Sequence, residues 1–160
     1  MRSGTLDFGI LAEAASLETI RGYKLFEERI VLLTRASNTK NPSEIENGKV
    51  GFVTYHAHDP LFEQYRQRLS NKKSLNLEIR VCVNSHPSMI DALESSDTYA
   101  VMPYLSARKA VSAKRLRIVP GYEIVSPLHL AHHENPHASE RDRVFRQFMI
   151  EECRKLGAQK

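Results

Sequence analysis

The 160-residue chain has no apolar run approaching the ~18 residues that a membrane-spanning helix needs, so a helical membrane protein is excluded. It has only two cysteines, Cys82 and Cys153, far apart and in no CxxC pair. That excludes a disulfide framework and a cysteine-built zinc site, and two free thiols suit a reducing cytosol. The opening MRSGTLDFGILAEAAS has one Arg, then an acid, and no long apolar stretch, so it does not read as a secretory leader. The patterns GxGxxG, GxxxxGK(S/T), GxSxG and SxxK are all missing. Nucleotide binding and serine-nucleophile chemistry therefore have no support in the sequence. What is present is a soluble globular composition, 41% hydrophobic and 26% charged, with a net charge of +4 too mild to mark a nucleic-acid binder. The length allows one ordinary domain or two small ones.

Along the chain, residues 5–11 (TLDFGIL) read as a short buried strand and residues 16–22 as a polar turn. Residues 25–34 end in the run Ile30-Val31-Leu32-Leu33, which has the character of a central strand. Residues 35–48, rich in Asn, Ser, Pro and Gly, form the best linker candidate. Residues 50–54 predict a strand. Asp59 then fits an N-cap and Pro60 a first helical position, and Leu61, Phe62, Tyr65 and Leu69 recur at helical spacing with Arg66 and Arg68 turned outward. Residues 75–83 (LNLEIRVCV) alternate as a half-buried strand does. Residues 84–87 make a second strand-to-helix junction, with Ser85 or His86 near the N-cap and Met89, Ile90 and Leu93 on the apolar face of a helix ending at 94–97. A strand at 98–102 stops at Pro103. Residues 105–119 predict a short helix and a strand. Residues 124–132 predict another strand, with Pro127 marking an edge or bend, and residues 133–139 a loop. Ser139-Glu140-Arg141-Asp142 resembles a capping box, and the helix behind it carries Val144, Phe145, Phe148, Met149 and Cys153 on one face, ending near Gly157. This alternation of strands and helices points to an α/β layered fold with parallel strands.

The chemistry-bearing residues form few patterns. His56-Ala57-His58 and the group His129, His132, His133 and His137 lack a further ligand at metal-site spacing, so they read as solvated or singly hydrogen-bonded. Cys82, in the apolar half of a strand, and Cys153, on an inner helix face, read as small core residues. The basic residues Arg108, Lys109, Lys114, Arg115 and Arg117 have no interleaved aromatics and read as a solvated face. What remains is the pair of junctions, Thr54-Tyr55-His56-Ala57-His58-Asp59 and Asn84-Ser85-His86-Pro87-Ser88. Open α/β sheets bind ligands beyond the carboxyl ends of their strands, where helix N-termini offer N–H groups and partial positive charge.

The order of these segments resembles the effector-binding domain of LysR-type transcriptional regulators. SGTLDFGIL is similar to that family's G-x-L-D-x-x-I strand, and LFEERIVLLTRASN to its L-x-x-E-x-x-V-L-V segment. VNSHPSMIDALESSDTYAVMP resembles its S-x-x-x-(I/V)-x-x-L block, and LHLAHHENPHASERDRVFRQFM its returning strand and last helix. Asp97-Thr98-Tyr99-Ala100-Val101-Met102-Pro103-Tyr104-Leu105-Ser106-Ala107 resembles T-D-x-I-A-x-(M/V)-P-x-x-L-A of the subgroup that includes the nodulation regulators. The family's glycine block is replaced here by Glu94-Ser95-Ser96-Asp97.

The resemblance implies a periplasmic-binding-protein-like, two-lobed α/β fold with mixed, mostly parallel sheets. Residues 1–35 and 121–160 would form a partial subdomain I and residues 36–120 subdomain II. The family's helix-turn-helix and the first strand–helix–strand of subdomain I have no counterpart in this chain, so an amino-truncated fragment is the expectation. By position, the effector contacts would be Thr54, Tyr55, His56, Asn84, Ser85, His86, Met102 and Pro103, in a cleft between the lobes. The implied partners are a small-molecule effector, compatible with an anion, and DNA only through the helix-turn-helix domain. A homodimer or homotetramer is implied for the parent protein, in the cytoplasm, with no cofactor, metal, membrane contact or enzymatic activity. The competing readings are a solute-binding protein or a prephenate-dehydratase-like enzyme on the same fold, or a regulator remnant without function. An in-frame helix-turn-helix, a signal peptide or a stop codon upstream would separate them.

Overall fold

The run Ile30-Val31-Leu32-Leu33 has no polar member, so a strand built from it has no face to offer water. In a computed structural model of the chain all four residues are fully buried. The structure describes residues 7–12, 20–39, 44–45, 47, 50–70, 77–133 and 139–158. These divide into two compact units, Arg29–Ile124 and Met1–Glu28 with Val125–Lys160.

In the unit Arg29–Ile124, the second half of β2 (Ile20–Arg35) lies antiparallel to β5 (Tyr99–Pro103), with Val31 opposite Met102. β5 is parallel to β3 (Gly51–Thr54), and β3 is parallel to β4 (Glu78–Cys82), so the order is β2-β5-β3-β4. The short β6 (Leu116–Ile118) pairs with β2. The strand residues alternate between two cores. Ile30, Leu32, Phe52, Tyr99 and Val101 pack on one side with Phe62 and Tyr65 of α1 (Pro60–Ser70). Val31, Leu33, Val53, Ala100 and Met102 pack on the other with Met89 and Leu93 of α2 (His86–Ser95) and Ala107 and Ala110 of α3 (Tyr104–Ser112). A sheet covered on both faces explains why β2 and β5 are apolar at every position of their paired stretch. The three β-to-α connections leave helices on both faces, as parallel strands require.

The other unit has the first half of β2, β7 (Ile124–His133), β1 (Phe8–Leu11) and α4 (Glu140–Ala158). β1 runs antiparallel to β7, with Phe8 opposite His132 and Leu11 opposite His129. Its core is small: Leu25, Leu130 and Cys153, with Phe8, Phe26, Met149 and Ile150 packed around them. α4 starts on a reciprocal capping box. The Asp142 amide donates to Ser139 Oγ and the Ser139 amide to the Asp142 carboxylate, each at 3.2 Å.

Several expectations need correction. β1 is not a buried strand, because Ile10 and Leu11 are exposed, and β1 ends the strand order among the described residues. Residues 20–22 belong to β2 rather than to a turn. β4 does not keep the simple alternation of its sequence. Phe52 faces Ile79 but Val53 faces Val81, so Arg80 is an extra residue that bulges the strand and reverses its faces. Val81 is consequently 43% exposed, and Cys82 is exposed rather than a core residue. Pro127, expected at an edge or bend, lies within β7. β7 runs through it between β1 and β2, and the ladder with β1 begins two residues later at His129. Of the residues expected on the inner face of α4, Val144, Phe145 and Phe148 are exposed. The expected turn at 16–19, much of the linker at 35–48, the start of the strand at 75–76 and the loop at 134–138 lie outside the described residues.

The two-sided burial predicts unequal costs of truncation. Leu33→Ala should lower the unfolding free energy by roughly 2–5 kcal/mol, and Val81→Ala by no more than about 0.5 kcal/mol. Chemical denaturation measures both, and equal losses would contradict the assignment of faces.

Candidate functional site

Parallel pairing sends the carboxyl ends of β4, β3 and β5 in one direction, side by side. Each strand hands the chain to a helix, so the first turns of α1, α2 and α3 follow from the same row of strand ends. This row holds the residues that the sequence nominated.

The first junction is tied down locally. Thr54, the last residue of β3, is buried, and its Oγ1 donates to the His56 carbonyl at 3.1 Å. Its own carbonyl accepts from the Val83 amide at 2.9 Å, which locks the end of β3 to the end of β4. The His56 carbonyl also accepts from the Asp59 amide at 3.2 Å, closing a tight turn. The Asp59 carboxylate accepts from the Leu61 amide at 2.9 Å and, through its other oxygen, from the Tyr55 amide at 3.4 Å. Asp59 is thus the N-cap that its position before Pro60 suggests. It also places a negative charge at the start of α1, which offsets the positive end of that helix.

The second junction is built differently. Ser85 is the N-cap of α2, with extended backbone (φ −156°, ψ 151°), and its Oγ accepts from the Ser88 amide at 3.1 Å. The Ser88 hydroxyl lies 2.8 Å from Ser85 Oγ, and Pro87 occupies the first turn. No acid lies in the first turn of α2 or of α3, and α3 begins at Pro103 without a side-chain cap. Two of the three helix starts therefore keep their positive end uncompensated by an acid, and the third does not.

The structure brings the two junctions together. The ring of Tyr55 lies edge-on to the rings of both His56 (5.8 Å between centroids) and His86 (5.9 Å). Tyr55 and His56 are exposed, as is Asn84, and Ser85, His86 and Pro103 are half-buried. Thr54 and Met102 stand apart from these: Thr54 shapes the turn, and Met102 is a core residue packed among Val31, Met89 and Ala107. Among the described residues no three His, Cys, Asp or Glu side chains gather as a metal site would need.

Two residues at this end escape sequence reasoning. Cys82 Sγ lies 3.5 Å from Thr54 Oγ1, since the bulge in β4 sets the two residues opposite each other. Arg29 lies in β2 next to Ile30, which is opposite Pro103, and its guanidinium sits over the Tyr104 ring at 5.2 Å. It is paired with Glu123 at 2.9 Å, and this partner raises its pKa. The only signal for Arg29 was its place one residue before an apolar strand, and that signal does not predict a contact 75 residues away.

The family model described as the LysR substrate binding domain matches residues 1–154. No curated protein matches the chain. Many solved structures do. The effector domain of the transcriptional regulator AmpR of Pseudomonas aeruginosa superposes with a TM-score of 0.69 at 16% identity, covering 98% of this chain and 77% of that one. The regulatory domain of CcmR from Synechocystis, in complex with 2-PG, gives 0.73 at 12% identity, covering 96% and 76%. Full-length LysG from Corynebacterium glutamicum, with bound effector Arg, gives 0.67 at 12% identity, covering 95% and 52%. The chain therefore spans about half the length of the full-length regulators that it matches.

The exposed Cys82 at the site should react at once with a small aromatic disulfide. Cys153 is buried, and burial raises its thiol pKa, so it should react only as the protein unfolds. Thiol titration in native buffer then counts one fast group, and two equally fast groups would contradict this placement.

Proposed function

The chain belongs to the LysR substrate binding domain family, and from that premise we propose that it senses a small-molecule effector on behalf of a transcriptional regulator. One observation carries the reading. Three parallel strands end side by side, and two of the helices that follow start with no acid in the first turn. The dipole of these helix starts, with no acid to offset it, favours a negatively charged or strongly polar group there. A small organic anion is the ligand class that fits.

In this reading Ser85, His86 and Asn84 supply polar contacts from the start of α2. Tyr55 and His56 supply an aromatic and imidazole wall, and Pro103 marks the uncapped start of α3. Thr54 and Met102 act from beneath, Thr54 by holding the turn and Met102 by fixing β5 against the core. The work is binding rather than catalysis. An effector acts by favouring one of two states of the regulator through its unequal affinity for them. Residues 1–35 with 121–160 and residues 36–120 are proposed as the two subdomains. DNA is read by a helix-turn-helix domain of the parent regulator, a cytoplasmic homodimer or homotetramer. The stretch Asp97–Ala107, with no glycine in it, favours the subgroup of the nodulation regulators.

A thermal-shift screen of the purified chain against small carboxylates and phosphates tests the ligand class. A stabilising anion is expected, and its effect should fall at least about tenfold in apparent affinity, worth about 1.4 kcal/mol, in Ser85→Ala. Loss of the cap alone costs roughly 1 kcal/mol of stability, so Ser85→Ala stays folded. In the full-length regulator, Ser85→Ala and Thr54→Ala should change the effector response. Wild-type induction in both variants would sink the site.

A further inference from the structure

Arg29 stands level with the start of α3, since its neighbour Ile30 lies opposite Pro103. Two residues before Val31 on an extended strand, it shares the face of Val31 and Leu33. That is the face of α2 and α3, not of the aspartate-capped α1. Its guanidinium is held on two sides. Nε donates to Glu123 Oε2 at 3.0 Å, and Nη2 lies 2.9 Å from the same oxygen. The ring of Tyr104, the first residue of α3, supports the guanidinium at 5.2 Å. A guanidinium carries five N–H donors in a rigid fork. The edge formed by Nη1 and the second N–H of Nη2 makes no hydrogen bond among the described residues, and the side chain is 46% exposed.

We propose that this open edge of Arg29 receives an oxyanion of the effector, through the two parallel N–H···O bonds that carboxylates and phosphates accept. The proposal rests on the effector reading, and it names the group the effector presents and the residue that reads it. Glu123 offsets much of the positive charge, so what remains is a directional pair of donors rather than a bare charge. Such a pair selects an oxyanion over a halide. Pinning adds to this. A free arginine loses rotamer freedom when it binds, whereas Arg29 has already lost it to Glu123 and Tyr104. The start of α3 beside it has no acid in its first turn, so the helix adds no repulsion to an anion there. The ion pair also joins the first residue of the unit Arg29–Ile124 to the last but one. That staple would be its whole role if Arg29 bound nothing.

The test follows the side-chain Nε–Hε signal of Arg29 by NMR, assigned by its absence in Arg29→Gln. Potassium malonate and potassium phosphate are the probes, against potassium chloride at equal ionic strength. Malonate or phosphate should shift the signal saturably, and whichever does so tells a carboxylate from a phosphate. Chloride should not, and the signals of Arg66 and Arg143, two other arginines in ion pairs, should not saturate. No saturable shift with either probe overturns the proposal, and so does an equal response to chloride. In thermal-shift titration with the same probe, Arg29→Gln should weaken binding at least about tenfold. Glu123→Gln keeps an acceptor for Nε but removes a negative charge, so it should tighten binding roughly two- to fivefold. An ion pair between half-exposed groups adds little to folding, so both variants stay folded. If both lower the melting temperature yet bind the probe as the wild type does, the pair is a staple only and the proposal falls. Loss of binding in Ser85→Ala but not in Arg29→Gln overturns Arg29 and leaves the effector reading standing. A saturable Arg29 signal that Ser85→Ala leaves unchanged supports Arg29 and overturns the reading at α2.

Discussion

The burial of both faces of one apolar strand is the constraint on which the rest depends. Ile30 and Leu32 face α1, while Val31 and Leu33 face α2 and α3, so this stretch of β2 can be satisfied only by helices on both sides. β5 repeats the arrangement with Tyr99 and Val101 against Ala100 and Met102, and β3 with Phe52 against Val53. Small residues on the α2 and α3 face, Ala100, Ala107 and Ala110, let two helices pack where large aromatics fill the α1 face. Because every backbone group of these strands is away from water, the ladder must be complete, and its register is thereby fixed.

That register sets the site. A parallel arrangement of β4, β3 and β5 cannot avoid bringing three strand ends, and the three helix starts behind them, to one row. Chemistry then depends on how each start is capped. Asp59 neutralises α1 with its own carboxylate. Ser85 caps α2 with a neutral hydroxyl, and α3 has no side-chain cap at all. The helix starts therefore differ in charge: an aspartate offsets the positive end of α1, and a serine leaves that of α2 uncompensated by an acid.

The sequence made the buried parts of this account legible and the edges obscure. Ile30–Leu33 announced a central strand because no residue in it could face water. Asp59-Pro60 and Ser139–Asp142 announced helix starts because capping is a local event, settled within four residues. Thr54 and Ser85 could be nominated because each ends a recognisable strand or opens a recognisable helix. β4 misled because a single bulged residue, Arg80, inverts the faces after it, and no composition signal marks a bulge. Cys82 lies opposite Thr54 at the carboxyl end of β4 and is exposed. Met102 is fully buried in the core beside α2 and α3. Arg29 was invisible, since its contact with Tyr104 depends on the pairing of β2 with β5. The outward apolar residues of α4 were misplaced because Val144, Phe145 and Phe148 satisfy the same helical spacing as an inner face.

The central claim is that a rigid two-faced core carries a row of locally held junctions. Amide hydrogen exchange across the chain tests it most directly. The account predicts that the amides of Ile30–Leu33 and Ala100–Met102 exchange last, with the global unfolding reaction. The amides of Tyr55–His58 and Asn84–His86 should exchange orders of magnitude sooner, and those of β1 sooner than those of β5. Uniform protection across strands and junctions would contradict it, as would exchange of Ile30–Leu33 as fast as that of β1.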